Sequence, residues 1–168
     1  MHEALKAITD KLGVDITNVY LHRDYNPAEL QCFKDMTGSE DPSESPMYDH
    51  QFDKIFIRDG FPDYDHVLSH ELVHWTGHDS RLGRFTRYQR NACCIKHAYM
   101  QEELTAELGR RLLAEKLGIE PIDRDYLIVR LAFATGMNPL DAFDIADADA
   151  EKAVAYLLAE AEQAKQAA

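Results

Sequence analysis

The spacing of apolar residues predicts a short helix and two strands near the start of the chain. Residues 2–12 carry apolar side chains one helical turn apart and are followed by Gly13, which favours a short amphipathic helix. Residues 14–22 and 54–58 are rich in β-branched and aromatic side chains, which is typical of strands. Between the strands, residues 37–46 contain two prolines and clustered polar residues, so we predict a loop there.

Helical periodicity dominates after Gly60. Apolar residues recur at helical spacing in five segments, which are residues 62–77, 99–117, 125–134, 139–145 and 150–164. The basic residues 81–96 are predicted to connect the first two of these helices. A few strands followed by helices indicate an α+β fold in which helix predominates and the sheet is small. We predict a single domain over residues 1–168.

Composition narrows the function classes. The chain has 168 residues, and its 18 Lys and Arg against 30 Asp and Glu give a net charge of -12. This charge disfavours direct binding to nucleic acid, which depends on a basic surface. No apolar stretch approaches the roughly 20 residues of a membrane helix, and the acidic start lacks the pattern of a secretory signal. We therefore expect a cytoplasmic protein without a membrane partner, with Cys32, Cys93 and Cys94 as free, buried thiols.

The first long predicted helix contains the pattern HExxH. His70 and His74 are four residues apart and project from one helix face, so two neutral imidazoles can bind one Zn²⁺ there. Glu71 lies between them, within reach of a water molecule on the metal. Without a metal, two polar rings would lie on a half-buried face for no gain. The pattern predicts a catalytic zinc site with Glu71 as the general base.

A catalytic zinc ion usually takes three protein ligands, so a third is required. The longer motif HExxHxxGxxH is matched at Gly77, but Ser80 stands where the third histidine is expected. His78 is a weak candidate because Gly77 is predicted to end the helix before it. The alternative is a glutamate from the next long helix, which offers three candidates, namely Glu102, Glu103 and Glu107.

Glu103 and Glu107 are one turn apart on one helix face. This spacing suits one carboxylate on the metal and a second that holds a ligand histidine through its other ring nitrogen. Glu102 is predicted to point away from that face. The simpler interpretation of these residues is solvated charge near the start of a helix. Gly109 favours the metal site, because a glycine inside a helix costs about 1 kcal/mol and is tolerable where two helices approach closely.

Two blocks of sequence carry a family resemblance, HELVHWTGHDSRLGR at residues 70–84 and AYMQEELTAELGRRLLAEKLGIE at residues 98–120. In combination they resemble the zincin-like metallopeptidase domain of the ArdC antirestriction family and its phage and conjugative-primase relatives. The similarity covers about two-thirds of the chain. It implies a zincin-like fold with an active-site HExxH helix, in a bacterial protein related to plasmids or phages.

The resemblance also implies particular roles. The zinc ligands would be His70, His74 and Glu103, with Glu71 as the catalytic residue. The family carries a further N-terminal domain that binds single-stranded DNA, for which 168 residues leave no room, so we expect the peptidase domain alone.

Two functions of different classes follow. The first is a zinc metallopeptidase that hydrolyses protein or peptide substrates through a zinc-activated water. The donor to its oxyanion would be Tyr99, His97, His78 or Arg81; Tyr99 is our catalytic candidate, although a core aromatic at a helix start is the simpler interpretation. The second is an antirestriction-type or DNA-mimic binding protein whose zinc is structural or vestigial. Glu71 favours the peptidase, because a purely structural zinc site needs no general base.

Overall fold

The structure is a computed structural model that describes residues 1–18 and 45–166, with side chains up to residue 159. Six helices lie in these ranges, and we number them α1 (Glu3–Leu12), α2 (Tyr64–Thr76), α3 (Arg84–Asn91), α4 (Ile95–Leu117), α5 (Asp125–Ala134) and α6 (Pro139–Gln166). The strands in the same ranges are β1 (Asp15–Thr17), β2 (Met47–Asp49) and β3 (Lys54–Phe56). The predicted α+β class with helix in the majority is confirmed.

The three strands form one small mixed sheet in the order β1-β3-β2. β3 lies in the middle, parallel to β1 and antiparallel to β2. Its central residue Ile55 is fully buried and pairs with Ile16 on one side and Tyr48 on the other. The strand predicted at residues 14–22 is observed as the short β1. Its last four positions, residues 19–22, lie outside the described residues. Most of the predicted loop at residues 37–46 lies there too.

The long helix α4 is the centre of the fold and packs against α2, α3, α5 and α6. It approaches α2 closely at Gly109, where an added Cβ would lie 2.7 Å from Cγ2 and 2.9 Å from Cγ1 of Val73. Only a glycine leaves room for this approach, as the sequence suggested. The contact brings the histidine-bearing face of α2 against the glutamate-bearing face of α4.

The two larger apolar clusters bury different faces of α4. The larger joins α1, the sheet, α2, α4 and α6, and its buried members include Leu5, Ile55, Leu68, Leu72, Trp75, Leu113 and Leu157. The second joins α4, α5 and α6 through Met100, Leu104, Leu108, Ile128, Leu131, Ala142 and Ala146. Burial on both faces fixes the rotation of α4 about its axis, and so fixes which carboxylates face α2. No helix within residues 1–18 and 45–166 is long and apolar enough to cross a membrane.

Three predicted boundaries are wrong. The basic connection at residues 81–96 contains a helix, α3, whose buried face consists of Arg84 and Tyr88 rather than aliphatic residues. The helix predicted from residue 99 begins earlier, at Ile95. The two helices predicted at 139–145 and 150–164 are one continuous helix, α6. Its acidic stretch was interpreted as a helix start, but Asp149 is buried inside the helix and accepts a hydrogen bond from the Tyr88 hydroxyl.

Candidate metal centre

Helices α2 and α4 bring three potential metal ligands together. Nε2 of His70 and Nε2 of His74 lie 3.1 Å apart. Glu103 lies across from them, with one carboxylate oxygen 3.3 Å from His70 Nε2 and the other 3.5 Å from His74 Nε2. Tetrahedral zinc with bonds of about 2.0–2.1 Å places neighbouring ligand atoms about 3.3–3.4 Å apart. The three side chains therefore already form a triangle of the size that such an ion requires.

The second ring nitrogen of each histidine, Nδ1, lies beside a carboxylate, as is usual for histidines that bind a metal through Nε2. Nδ1 of His74 lies 3.1 Å from Oε1 of Glu102, and Nδ1 of His70 lies 3.4 Å from Oε2 of Glu107. A carboxylate beside Nδ1 holds the ring proton there, so the neutral rings direct both Nε2 lone pairs at each other and at Glu103. That arrangement is repulsive unless a cation lies between them. The donor set thus fits a metal ion.

Protons replace the cation when the metal is absent. Burial by itself lowers the pKa of His70, but the Glu103 and Glu107 carboxylates outweigh it and raise this pKa to about 10. For His74, burial is likewise outweighed by Glu103 and Glu102, and its pKa is raised to about 9. The same attraction holds the pKa of Glu103 well below its usual range despite burial. The metal-free centre is therefore protonated at neutral pH.

We expect metal affinity to fall as the pH falls. Because the pKa values of the metal-free His70 and His74 are about 10 and 9, both rings hold a proton at pH 7 that a metal must displace. Below pH 9 the apparent affinity should decrease about tenfold per pH unit for each displaced proton. Competition against a chelator of known affinity between pH 6 and pH 8 measures this slope. An affinity independent of pH would contradict the ligand assignment.

A buried ion pair supports His74 from behind. Glu102 accepts two hydrogen bonds from Arg84, at 2.7 Å from Nε and 2.6 Å from one terminal nitrogen, while its Oε1 faces His74 Nδ1. Arg84 is 1% exposed, and it also donates to the backbone carbonyl of Val73. An added Cβ at Gly77 would lie 2.8 Å from the Arg84 guanidinium. The glycine that follows the HExxH helix therefore leaves space for this arginine.

A second buried ion pair, between Glu107 and Arg110, lies behind His70. Oε1 of Glu107 accepts a hydrogen bond of 2.8 Å from Nε of Arg110, and both side chains are buried. Arg110 in turn contacts Nδ1 of His66 at 2.9 Å, and Nε2 of His66 faces the carbonyl of Glu120. Nδ1 of His70 and Oε2 of Glu107 have no hydrogen-bond partner among the described residues. The two atoms lie 3.4 Å apart.

The sequence prediction for Glu102 was wrong. It does not point away from the centre but lies 3% exposed between α2, α3 and α4, behind His74. A histidine ligand that loses its carboxylate partner typically loses about 10–100-fold in metal affinity. We expect Glu102→Gln to weaken zinc binding by that factor, with a larger loss for Glu103→Ala.

The exposed Glu115 of the same helix provides the control for this comparison. Glu115→Gln should bind zinc as tightly as the unaltered protein, in a titration against a fluorescent chelator. Equal losses for Glu102→Gln and Glu103→Ala would contradict the distinction between the metal ligand and the residue behind it.

The general-base candidate Glu71 lies beside the ligands on α2. It is 6% exposed, and its Oε2 accepts a hydrogen bond of 2.7 Å from the backbone N–H of Tyr48. Strand β2 thus holds one carboxylate oxygen, while Oε1 has no hydrogen-bond partner among the described residues. Burial raises the pKa of Glu71, although the two neighbouring histidines oppose this. A carboxylate with a raised pKa is suited to accepting and releasing a proton.

The oxyanion-donor candidates lie in different surroundings. Tyr99 lies one turn before Glu103 on α4 and is 46% exposed, so it is not the core aromatic of the simpler interpretation. Arg81 is engaged by Asp53 and the Trp75 carbonyl. The ring of His78 contacts Ser80 rather than the metal centre.

His97 lies 2.8 Å from the Cys93 sulfur. Tyr99 stays our candidate because it lies one turn before Glu103 on the same helix.

Several buried residues of the centre could not be identified from the sequence. Neither the motif nor the apolar periodicity assigns Arg84, Arg110 or His66 a role in the centre. The structure buries all three. One signal was available: Arg84 and Tyr88 are four residues apart, and so are the polar residues His66 and His70 on α2. Neither spacing identifies a buried charge, because polar residues at this spacing are also usual on exposed helix faces.

Comparison with known proteins agrees with this geometry. A model of the zincin-like metallopeptidase family matches residues 42–129, which include β2, β3, α2 and the glutamates of α4. The chain belongs to this family. Membership implies a metal-binding centre of the zincin type.

Both solved structures and known sequences include proteins that are similar to this chain. Two crystal structures of the antirestriction protein ArdC from plasmid R388, one metal-free and one Mn(II)-bound, match with a TM-score of 0.61 and 28% identity. They cover 95% and 96% of this chain, which covers 51% and 53% of theirs. Two DNA primases TraC from Escherichia coli are 35% identical over 120 residues and 36% identical over 107 residues.

The primase alignments take in 67% and 61% of this chain but only 11% and 7% of the primases. The chain thus spans about half the length of the ArdC proteins and about a tenth of the primases. The resemblance recognised in the sequence is confirmed.

Proposed function

We propose that this protein is a zinc-dependent metallopeptidase. The observation that carries the proposal is the convergence of His70, His74 and Glu103 within 3.5 Å of one another, with Glu71 beside them. The three ligands would hold Zn²⁺ and leave a fourth position open, as catalytic zinc sites do. Bound Zn²⁺ supplies Lewis-acid polarisation of a substrate carbonyl and lowers the pKa of water to about 7.

Glu71 performs the proton transfers in this proposal. Its Oε2 is fixed by the Tyr48 N–H, so Oε1 takes the proton of the attacking water and later gives it to the leaving amine. Tyr99, one turn before Glu103 and half exposed, is our candidate for the hydrogen-bond donor to the oxyanion. Burial of the ligands excludes most bulk water from the centre and strengthens these interactions.

The substrate class follows from charge. A net charge of -12 disfavours nucleic acid, tolerates neutral segments and favours basic ones. We therefore propose a protein or peptide substrate that is neutral or basic where it docks. Direct binding to nucleic acid is not part of this proposal.

Metal dependence of peptide hydrolysis tests the function. The protein is incubated with a peptide library, and cleavage is detected by mass spectrometry before and after removal of metal with a chelator. We expect the cleavage products to disappear on chelation and to return when about one equivalent of Zn²⁺ is added. Mn²⁺ at the same concentration provides the comparison, because one ArdC structure holds Mn(II). Cleavage that survives chelation, or a zinc-loaded protein that cleaves nothing, would contradict the proposal.

The similarity to ArdC favours a second candidate function, an antirestriction-type binding protein. In that case the acidic surface would imitate DNA and occupy a DNA-binding enzyme, and the metal would be structural. A protection assay against a restriction enzyme separates the two functions. A Glu71→Gln variant that still protects would favour the binding protein, whereas loss of protection would favour the peptidase.

A further inference from the structure

A second group of potential metal ligands lies at the start of α4, outside the centre described above. It consists of Cys93, Cys94 and His97, whose ligand atoms all lie within 4.8 Å of one another. The sulfur of Cys93 lies 2.8 Å from Nδ1 of His97, one helical turn further along the chain. Both cysteines are free, as predicted, but they are exposed, so the prediction of buried thiols was wrong for this pair.

The donor chemistry of this group is that of a soft metal site. Two thiolates and one imidazole are ligands that Zn²⁺ and related thiophilic ions prefer over hard cations such as Mg²⁺. Zn–S bonds of about 2.3 Å and Zn–N bonds of about 2.0–2.1 Å place neighbouring sulfur and nitrogen atoms about 3.5–3.6 Å apart. The Cys93 sulfur and His97 Nδ1 are closer than this value, at 2.8 Å. Rotation of the exposed cysteine side chains is enough to reach it.

Two features keep these ligands available. Adjacent cysteines such as Cys93 and Cys94 form a disulfide only with strain, so the pair stays reduced and able to bind a metal. The His97 ring is held against the backbone of Gly136, where an added Cβ would lie 2.2 Å from Cε1 and 2.3 Å from Nδ1. Gly136 has a φ of 74°, so a side chain there is disfavoured in any case. The ring is therefore seated between Cys93 and the turn after α5.

We propose that Cys93, Cys94 and His97 form a second metal site, which binds a thiophilic divalent cation such as Zn²⁺. The fourth position faces solvent and takes water. A metal bound there would tie the connection after α3 to the first turn of α4. That turn leads to Tyr99, Glu102 and Glu103, so the site would stabilise the end of α4 that supplies the catalytic centre.

Cobalt spectroscopy tests the proposal with a signal that the first centre cannot give. Only sulfur ligands produce thiolate-to-Co²⁺ charge-transfer absorption, and the centre of His70, His74 and Glu103 contains no sulfur. The experiment uses the full chain with Cys32→Ser, so that Cys93 and Cys94 are the only thiols. We expect about two equivalents of Co²⁺ to bind and the charge-transfer band to saturate at about one equivalent.

Matched variants assign the signal. The double variant Cys93→Ser/Cys94→Ser, in the Cys32→Ser background, should lose the band and bind about one equivalent less. Replacing His70 and His74 by Asn should keep the band, so the two proposals fail separately. Absence of the band in the Cys32→Ser protein, or its persistence after both cysteines are replaced, would overturn the second site.

Thiol reactivity gives an independent measurement in which Cys93 and Cys94 both stay in place. In the Cys32→Ser protein with His70 and His74 replaced by Asn, about one equivalent of Zn²⁺ should slow alkylation of the thiols at least tenfold, because a metal-bound thiolate is a poor nucleophile. His97→Asn should abolish this protection, and Lys96→Ala should preserve it. Equal alkylation rates with and without Zn²⁺ would overturn the proposal.

Discussion

Replacing Glu71 with glutamine is expected to reduce peptide hydrolysis by about 10²–10⁴-fold while leaving the metal bound. The glutamine amide oxygen can still accept the hydrogen bond that Tyr48 N–H donates to Glu71 Oε2, so the local geometry survives. What the variant loses is a group that can take a proton from water. Hydrolysis is measured with the peptide that the unaltered protein cleaves best, and metal content by elemental analysis.

The same substitution separates catalysis from stability. Because burial raises the pKa of Glu71, the carboxylate gains little from being charged in the folded protein, and glutamine should not lower the free energy of unfolding. Glu115→Gln, on the exposed face of α4, serves as the control and should cleave peptides at the unaltered rate. Hydrolysis by Glu71→Gln within threefold of the control would remove Glu71 from the proposed mechanism.

The sequence predicted best what depends on local spacing. His70 and His74 are at positions i and i+4, and on any helix this spacing puts the two rings on one face. Their pairing could therefore be predicted without knowing the tertiary structure. Glu103 required more, because the spacing left Glu107 open as a ligand and the family resemblance selected between them. Gly109 correctly indicated a close approach of two helices. A glycine inside a helix destabilises it, and close packing against the neighbouring helix offsets that loss.

The sequence failed where burial is decided by several elements together. A helix with one buried face leaves Glu102 in solvent, but α4 is covered by α2 on one side and α3 on another, and Glu102 lies between them. Arg84 was missed for the same reason. Apolar periodicity identifies buried positions only when they are apolar, and α3 buries an arginine and a tyrosine instead. The continuous α6 was divided because Asp149 resembles a helix start until its partner Tyr88 is known.

Replacing Arg84 with methionine is expected to lower the free energy of unfolding by about 3–5 kcal/mol. Methionine fills part of the volume, but it leaves the Glu102 carboxylate buried without the two hydrogen bonds that it accepts from Arg84. It also removes one of the two side-chain donors to the Val73 carbonyl, the other being the Thr76 hydroxyl. An unpaired buried charge is among the most costly defects in a protein interior. Urea denaturation of the metal-free protein measures the loss.

Arg111→Met is the matched control for this substitution. Arg111 lies on α4 and pairs with Asp125 at 3.1 Å, but the two side chains are 63% and 74% exposed. Exposed ion pairs contribute little, because solvent screens them. The control should therefore change the free energy of unfolding by no more than about 0.5 kcal/mol.

The double variant Arg84→Met/Glu102→Leu distinguishes support of the fold from positioning of a ligand. Removing both charges replaces the ion pair with apolar side chains, which often restores stability, so most of the lost unfolding free energy should return. Metal affinity should stay about 10–100-fold weaker, because Nδ1 of His74 no longer faces a carboxylate that fixes its ring. If affinity recovered together with stability, Arg84 and Glu102 would support the fold alone. Recovery of stability without affinity would identify them as positioning residues for His74.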